Sequence, residues 1–155
     1  MQPPSLYWYF DSKNAIYDAM FAEGNRQLLA RLAEQDWPAD PRALLRRCAR
    51  VIVEFGAEDV VRYQLLFQRT IPDFEPSPGS YDLAVQVHEE MRARFAAAGL
   101  TDPAQFDLWT ALVAGLAAQQ TSNDPGGDRW LRLIDEAADM YADYVLGKPA
   151  PARNG

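Results

Sequence analysis

Apolar side chains recur at spacings of three and four along most of this chain, which is the period of a helix laid against a core. The clearest run is Leu44, Leu45, Cys48, Val51, Ile52 and Phe55. Asp40-Pro41 precedes it, a capping side chain followed by the residue best suited to a first helical position. Asp102-Pro103 repeats the device ahead of Phe106, Trp109, Val113 and Leu116. Ala84, Val87, Met91 and Phe95 share a third face, and Gly99 supplies a left-handed stop after it. Nowhere do β-branched residues alternate with polar ones over the length of a strand. The expected fold class is all-α.

In order, the pattern predicts helices over Ser12 to Gln35, Pro41 to Phe55, Glu58 to Arg69, Ser80 to Ala98, Pro103 to Gln120 and Asp128 to Leu146. Asp11 or Ser12 caps the first, whose apolar stripe reads Ile16, Met20, Leu28 and Leu32. Gly24 inside that helix points to close packing or a slight bend, and Gly56 is expected to break or kink the second helix. Thr70 to Gly79 holds Pro72, Pro76 and Pro78, which cannot extend a helix, so this is a loop. Ser122 to Gly127 is dense in turn residues, and Lys148 to Gly155 reads as a disordered tail.

Length and composition narrow the class without naming a function. The 155 residues, 48% apolar and 24% charged, suit a domain that buries a real core. Fifteen basic against twenty-two acidic side chains leave a net charge of −7, which argues against a surface coated for nucleic acid but not against a local basic head. Cys48 is the only cysteine, so no disulfide forms within the chain; among apolar neighbours it reads as a small buried hydrophobe. No apolar run approaches the ~20 residues of a spanning helix, and the N-terminus has no signal-peptide core. A soluble, cytoplasmic protein with no membrane partner is expected.

The most distinctive string lies at the front. Ser5-Leu6-Tyr7-Trp8-Tyr9-Phe10 is an aromatic turn of helix whose successive rings cannot all face one core, and Lys13 follows at the start of the next helix, where it wants an anionic partner such as a phosphate. This string resembles the end of the DNA-reading helix of TetR-family repressors and the linker helix after it. The family pattern there is a small polar residue, Leu-Tyr, two rings, an apolar residue, and a Lys three positions on. The resemblance implies that Ser5, Tyr7 and Tyr9 contact DNA and that Lys13 binds phosphate. Further on, Leu66 to Pro72 and Trp109 through Gly115-Leu116 look like TetR-type ligand-binding bodies of a kind common in actinobacteria.

The resemblance implies a TetR-type helical body preceded by a remnant of the recognition helix. Its expected blocks are 1–10 for the remnant, 11–36 for the linker helix, 37–147 for the ligand-binding and dimerisation domain, and 148–155 for the tail. Family members carry about forty further residues of helix-turn-helix ahead of this point, and a recognition helix needs that support in the groove. DNA binding by the chain as written is therefore not expected to be strong; an in-frame head encoded upstream would restore it.

The implied partners are a second copy of the chain through the last two helices, operator DNA, and a small, largely apolar effector. For the interface, the spacing singles out Val113, Leu116, Trp130, Ile134, Ala137 and Tyr141. For the effector pocket, Tyr63, Phe67, Met91 and Trp109 rank first, with Phe55 and His88 after them; Phe21 and Phe74 complete the aromatic material. The loop from Thr70 to Gly79 is a plausible lid. Residues of these types at helical spacing also make ordinary cores, which is the competing assignment for each. His88-Glu89-Glu90 is the single hint of metal or acid–base chemistry, but adjacent helical residues diverge by about 100° and do not converge on one ion. No phosphate loop, nucleophile elbow or carboxylate pair appears, so neither an enzyme, a metal nor a cofactor is expected. The alternative function is a ligand-binding or heterodimerising module that does not touch DNA.

Overall fold

The computed structural model of the chain describes residues 4–148 (side chains at 8, 9 and 11–148), and its secondary structure is helical throughout. Six α-helices and one 3-10 turn are present among the described residues, and no strand: α1 (Pro4–Ala33), α2 (Pro41–Glu58), α3 (Val60–Phe67), α4 (Pro78–Ala97), α5 (Pro103–Asn123), the 3-10 turn (Leu131–Leu133) and α6 (Ile134–Leu146). The chain divides into two units that do not follow the blocks expected from sequence. The first joins the residues up to Gln35 with Asp59–Glu90, and the second joins Asp36–Glu58 with the residues from Met91 onward. A unit break falls at 35/36, beside the expected 36/37 boundary, and α3 returns to pack on α1 within the first unit.

In the first unit, α1 runs without a break through Asp11 and Ser12, where a cap and a new helix were expected. Neither residue breaks a helix; each costs only tenths of a kcal/mol more than Ala in a helix interior, about 0.7 at most. Lys13 consequently sits well inside α1, not at a helix start, and no free N–H groups oppose its charge. The inward stripe keeps the expected Leu28 and Leu32 but not Ile16 and Met20. Phe21, Ala22, Asn25, Leu28 and Leu32 are buried, whereas Ile16 is 56% exposed and Met20 is exposed as well. Asn25 tolerates burial because its amide donates to the Phe21 carbonyl at 2.9 Å. Gly24 permits close approach of α3: a Cβ there would stand 3.0 Å from a methyl of Leu66.

In the second unit, α2 buries Leu44, Leu45, Cys48, Val51 and Phe55 of the predicted stripe; Ile52 is only half-buried, and Ala49 and Val53 are buried in addition. Gly56 does not break it; the helix continues to Glu58, and Asp59 starts α3 by accepting the Arg62 N–H at 2.9 Å. Burial pushes the Cys48 thiol up to about 12, so it stays protonated and unreactive at neutral pH. Two charged rows hold α2 to α6. Arg42 donates to Asp143 at 2.7 Å, Arg46 grips Asp139 with two bonds of 2.6 Å, and Arg50 donates to Asp135 at 2.8 Å. Both rows advance by four residues, so the pairing sets the register of the helices, even though each exposed pair contributes at most about 1 kcal/mol.

Between the helices, the turn after α4 closes as Gly99 predicts. Its φ is +79°, its N–H bonds to Ala96, and the Leu100 N–H bonds back to Phe95 at 2.8 Å. Leu100 and Phe95 are both buried, the apolar contact that accompanies this helix stop. Asp102 caps α5 by accepting the Ala104 N–H at 2.9 Å, with Pro103 in the first turn. No helix among the described residues is long and apolar enough to cross a membrane.

Candidate functional site

The site is built in the first unit from the segment that leaves α3. Gln68 turns extended (φ −127°, ψ 136°) and ends the helix while its N–H still bonds to Gln64. Pro72 and Pro76 then keep the chain out of a helix until Pro78 opens α4, and Asp73 takes a left-handed φ of +60° in a turn in which the Phe74 N–H reaches the Ile71 carbonyl. Both ends of the loop are held. At the entry, the Tyr63 ring lies 5.4 Å from Phe67, and its hydroxyl is hydrogen-bonded to the Gln68 side chain; burial pushes that phenol up, and the bond only partly offsets it. Midway, Phe74 packs edge-on against Tyr17 of α1 at 5.7 Å.

The exit is held by Asp18 of α1. Its carboxylate accepts the Ser77 N–H at 2.7 Å and the hydroxyls of Ser77 and Ser80, each at 2.9 Å. Ser77 in turn caps α4 by accepting the Ser80 N–H. Burial raises the Asp18 pKa, but these three bonds outweigh it and leave the group below the usual carboxylate value of 3.8. A depressed folded pKa means that the anchor contributes fully above that usual value and is lost as pH falls through the lowered one. The protection of the Ser77 amide against exchange, relative to its intrinsic rate, is therefore expected to fall below about pH 4. Asp18→Asn, which accepts with one oxygen instead of two, should show the faster exchange already at neutral pH; equal exchange in the two proteins would sink the assignment.

These anchors hold open a cavity of about 410 Å³, within the range of small-molecule sites. Phe21 of α1, Leu65 and Phe67 of α3, Ile71 and Phe74 of the loop, and Tyr81 of α4 give it aromatic and aliphatic surface. Gln68, Arg69, Thr70 and Glu75 give it a polar wall in comparable measure, so it is less apolar than its aromatic residues alone imply. Arg69 and Glu75 make no ion pair among the described residues. A second hollow of about 430 Å³ on the outer side of α1 and α3 is lined by the exposed Ile16, Met20 and Val61.

Of the six residues singled out for the pocket, Phe67 lines the cavity; Phe21 and Phe74, from the wider aromatic set, line it too. The others are placed elsewhere. Tyr63 is buried beside Phe67 without reaching the cavity wall. Phe55, Met91 and Trp109 are packed in the core of the second unit, and His88 is exposed on α4. Large apolar side chains fill whichever interior they meet, and spacing alone cannot tell a wall from a core. Arg69 and Glu75 fall in the segments expected as ligand-binding body and lid without having been singled out, and Tyr81 was not foreseen. No three of His, Cys, Asp and Glu gather to hold a metal among the described residues.

The expected interface residues need a similar correction. Val113, Ile134 and Tyr141 are buried within their own unit, Tyr141 with its hydroxyl donating to the Gln105 carbonyl at 2.6 Å, so they leave no surface for a partner. Leu116 and Ala137 are half-buried, as is Trp130, which is stacked under the Arg129 guanidinium at 4.5 Å. The rows left outward lie one step around each helix. On α5 they are Leu108, 53% exposed, with Leu112 and Gly115; on α6 they are Met140 and Tyr144, 63% and 64% exposed, with Ala137. Of the expected DNA contacts, the Ser5 and Tyr7 side chains lie outside the described residues. Tyr9 is exposed, and Lys13 rests over the Tyr17 ring at 5.7 Å. Comparison with protein-family models, with curated proteins and with solved structures finds no match.

Proposed function

We propose that this chain is the ligand-sensing and dimerising body of a TetR-type transcriptional repressor, with the first-unit cavity as its effector site. The observation that carries the proposal is the pair of outward apolar rows on α5 and α6. An outward row of Leu108, Leu112 and Gly115 on α5 and another of Ala137, Met140 and Tyr144 on α6 supply what a two-fold four-helix interface requires: apolar surface on both helices, with small residues that let backbones approach. Two bodies are needed because a helix-turn-helix protein reads two half-sites about one helical turn apart. The continuity of α1 adds a route for signalling. Phe21 and Asp18, which line and anchor the cavity, share one unbroken helix with Tyr9 and Lys13, the positions that resemble DNA contacts. An effector that reshapes the loop would bias the setting of that helix, and so the separation of two heads.

The test is the oligomeric state. The wild-type chain is expected to sediment as a dimer at micromolar concentration, and Leu108→Asp with Met140→Asp as a monomer of unchanged helicity, since two buried charges without partners oppose the interface. A monomeric wild type would remove the repressor proposal.

A further inference from the structure

We infer that the effector held by the first-unit cavity is a small aromatic zwitterion, a molecule of one or two rings bearing an ammonium and a carboxylate, as an aromatic amino acid does. The inference rests on reading that cavity as the effector site and goes on to its chemistry. Aromatic rings approach it from three directions: Phe21 from α1, Phe67 from α3, Phe74 from the loop, with Tyr81 on α4 completing the wall. Flat rings are what such a wall packs best, face to edge. The cavity's 410 Å³ admits one or two of them with room for polar groups.

The charges decide the rest. Arg69 and Glu75 line the same cavity, and neither is engaged in an ion pair among the described residues. Both side chains are exposed, so a purely apolar occupant would leave them in water and gain nothing from either. A simple anion would meet Arg69 favourably but also face Glu75, and a simple cation would meet the reverse. A zwitterion alone answers both, its carboxylate on the Arg69 guanidinium and its ammonium on the Glu75 carboxylate. Arg69 can grip a carboxylate with two parallel bonds, which also fixes the orientation of the ring. Gln68 and Thr70 in the same wall offer neutral hydrogen bonds to either group.

Four probes that share one ring separate the possibilities: L-tryptophan, indole-3-acetate, tryptamine and indole, titrated by calorimetry into the full chain. Tryptophan is expected to bind about tenfold more tightly than indole, with the two singly charged probes weaker than tryptophan, because each charge-assisted bond adds affinity. Arg69→Ala should weaken tryptophan and indole-3-acetate while sparing tryptamine. Glu75→Gln should weaken tryptophan and tryptamine while sparing indole-3-acetate. The opposite selectivities make each variant a folding control for the other. Indole binding as tightly as tryptophan, or either singly charged probe binding best, would overturn the zwitterion and leave the cavity as an effector site. Binding of none of the four would overturn both. A monomeric chain that still prefers tryptophan would remove the repressor proposal and keep this one.

Discussion

Trp109→Ala is expected to lower the stability of the second unit by about 4 kcal/mol, the cost of deleting a large aromatic side chain from a closed core. Trp109 is 1% exposed. Its ring lies 5.3 Å from Phe95 and 5.3 Å from Tyr141, and Phe95 meets Phe106 edge-on at 5.1 Å. Each such pair adds about 1 kcal/mol beyond burial, so the four rings act as one block and their single losses will not add. In a chain of this size the thermal midpoint should fall by roughly 12 °C. Trp109→Phe, which keeps a ring with less volume, should lose about half as much or less. The result separates two roles that sequence cannot. A pocket-lining tryptophan would cost ligand affinity and little stability; a core tryptophan costs stability and leaves tryptophan binding by the first unit intact. A midpoint within 2 °C of wild type, on the order of a surface change, would sink the core assignment.

The parts of the fold that were legible in the sequence are those decided by neighbours in the chain. Asp40-Pro41, Asp102-Pro103 and Gly99 act through backbone groups within a few residues, and each acts where it was expected. The α2 stripe was legible because one face is apolar and the other carries Arg42, Arg46 and Arg50. The α1 stripe was legible only at Leu28 and Leu32, because apolar residues occur on more than one side of that helix. Which side turns inward is settled by α3, some forty positions away, through contacts such as Gly24 with Leu66. Of the expected interface residues, Val113, Ile134 and Tyr141 turn inward while Ala137 stays in the outward row, because α5 and α6 are apolar on two sides and only burial tells the inner from the outer.

The cavity was the least legible feature. Its shape depends on Asp18 reaching Ser77, 59 residues away, and on Phe74 meeting Tyr17. Periodicity does not register such contacts, and a loop residue such as Arg69 or Glu75 has no period to follow. The pattern Ser77-Pro78-Gly79-Ser80 was a usable local signal, since a serine that caps a helix and is followed by proline marks where the loop must end. Arg69 lies three residues before Pro72 and Glu75 immediately before Pro76, which places both beside a segment that cannot close its own backbone bonds.

Gln120→Leu is expected to cost about 3 kcal/mol, although it keeps the size of the side chain, because four backbone groups lose their partner at once. Gln120 is 2% exposed. Its amide nitrogen donates to the carbonyls of Asp124 and Gly127, and its oxygen accepts the N–H groups of Trp130 and Leu131 at 2.9 and 3.3 Å. Two donors and two acceptor sites are all that a glutamine has, and all are used. The side chain thus joins the end of α5 to the start of the 3-10 turn that leads into α6, across a turn that needs Gly126 at φ +79°. Gln120→Glu divides the effect. A carboxylate still accepts the two N–H groups but cannot donate to the carbonyls it faces, which disfavour its charge and raise its pKa. With the folded value raised, the variant should regain stability as pH falls toward and through that value, while the leucine variant stays flat. Because α6 carries Met140 and Tyr144, loosening its start should also raise the dissociation constant of the proposed dimer, measurable by sedimentation under conditions where both variants remain helical. A leucine variant with the wild-type midpoint and the wild-type dimer would mean that water serves the turn as well as the amide does, and that the α5–α6 pair is positioned by packing on α2 alone.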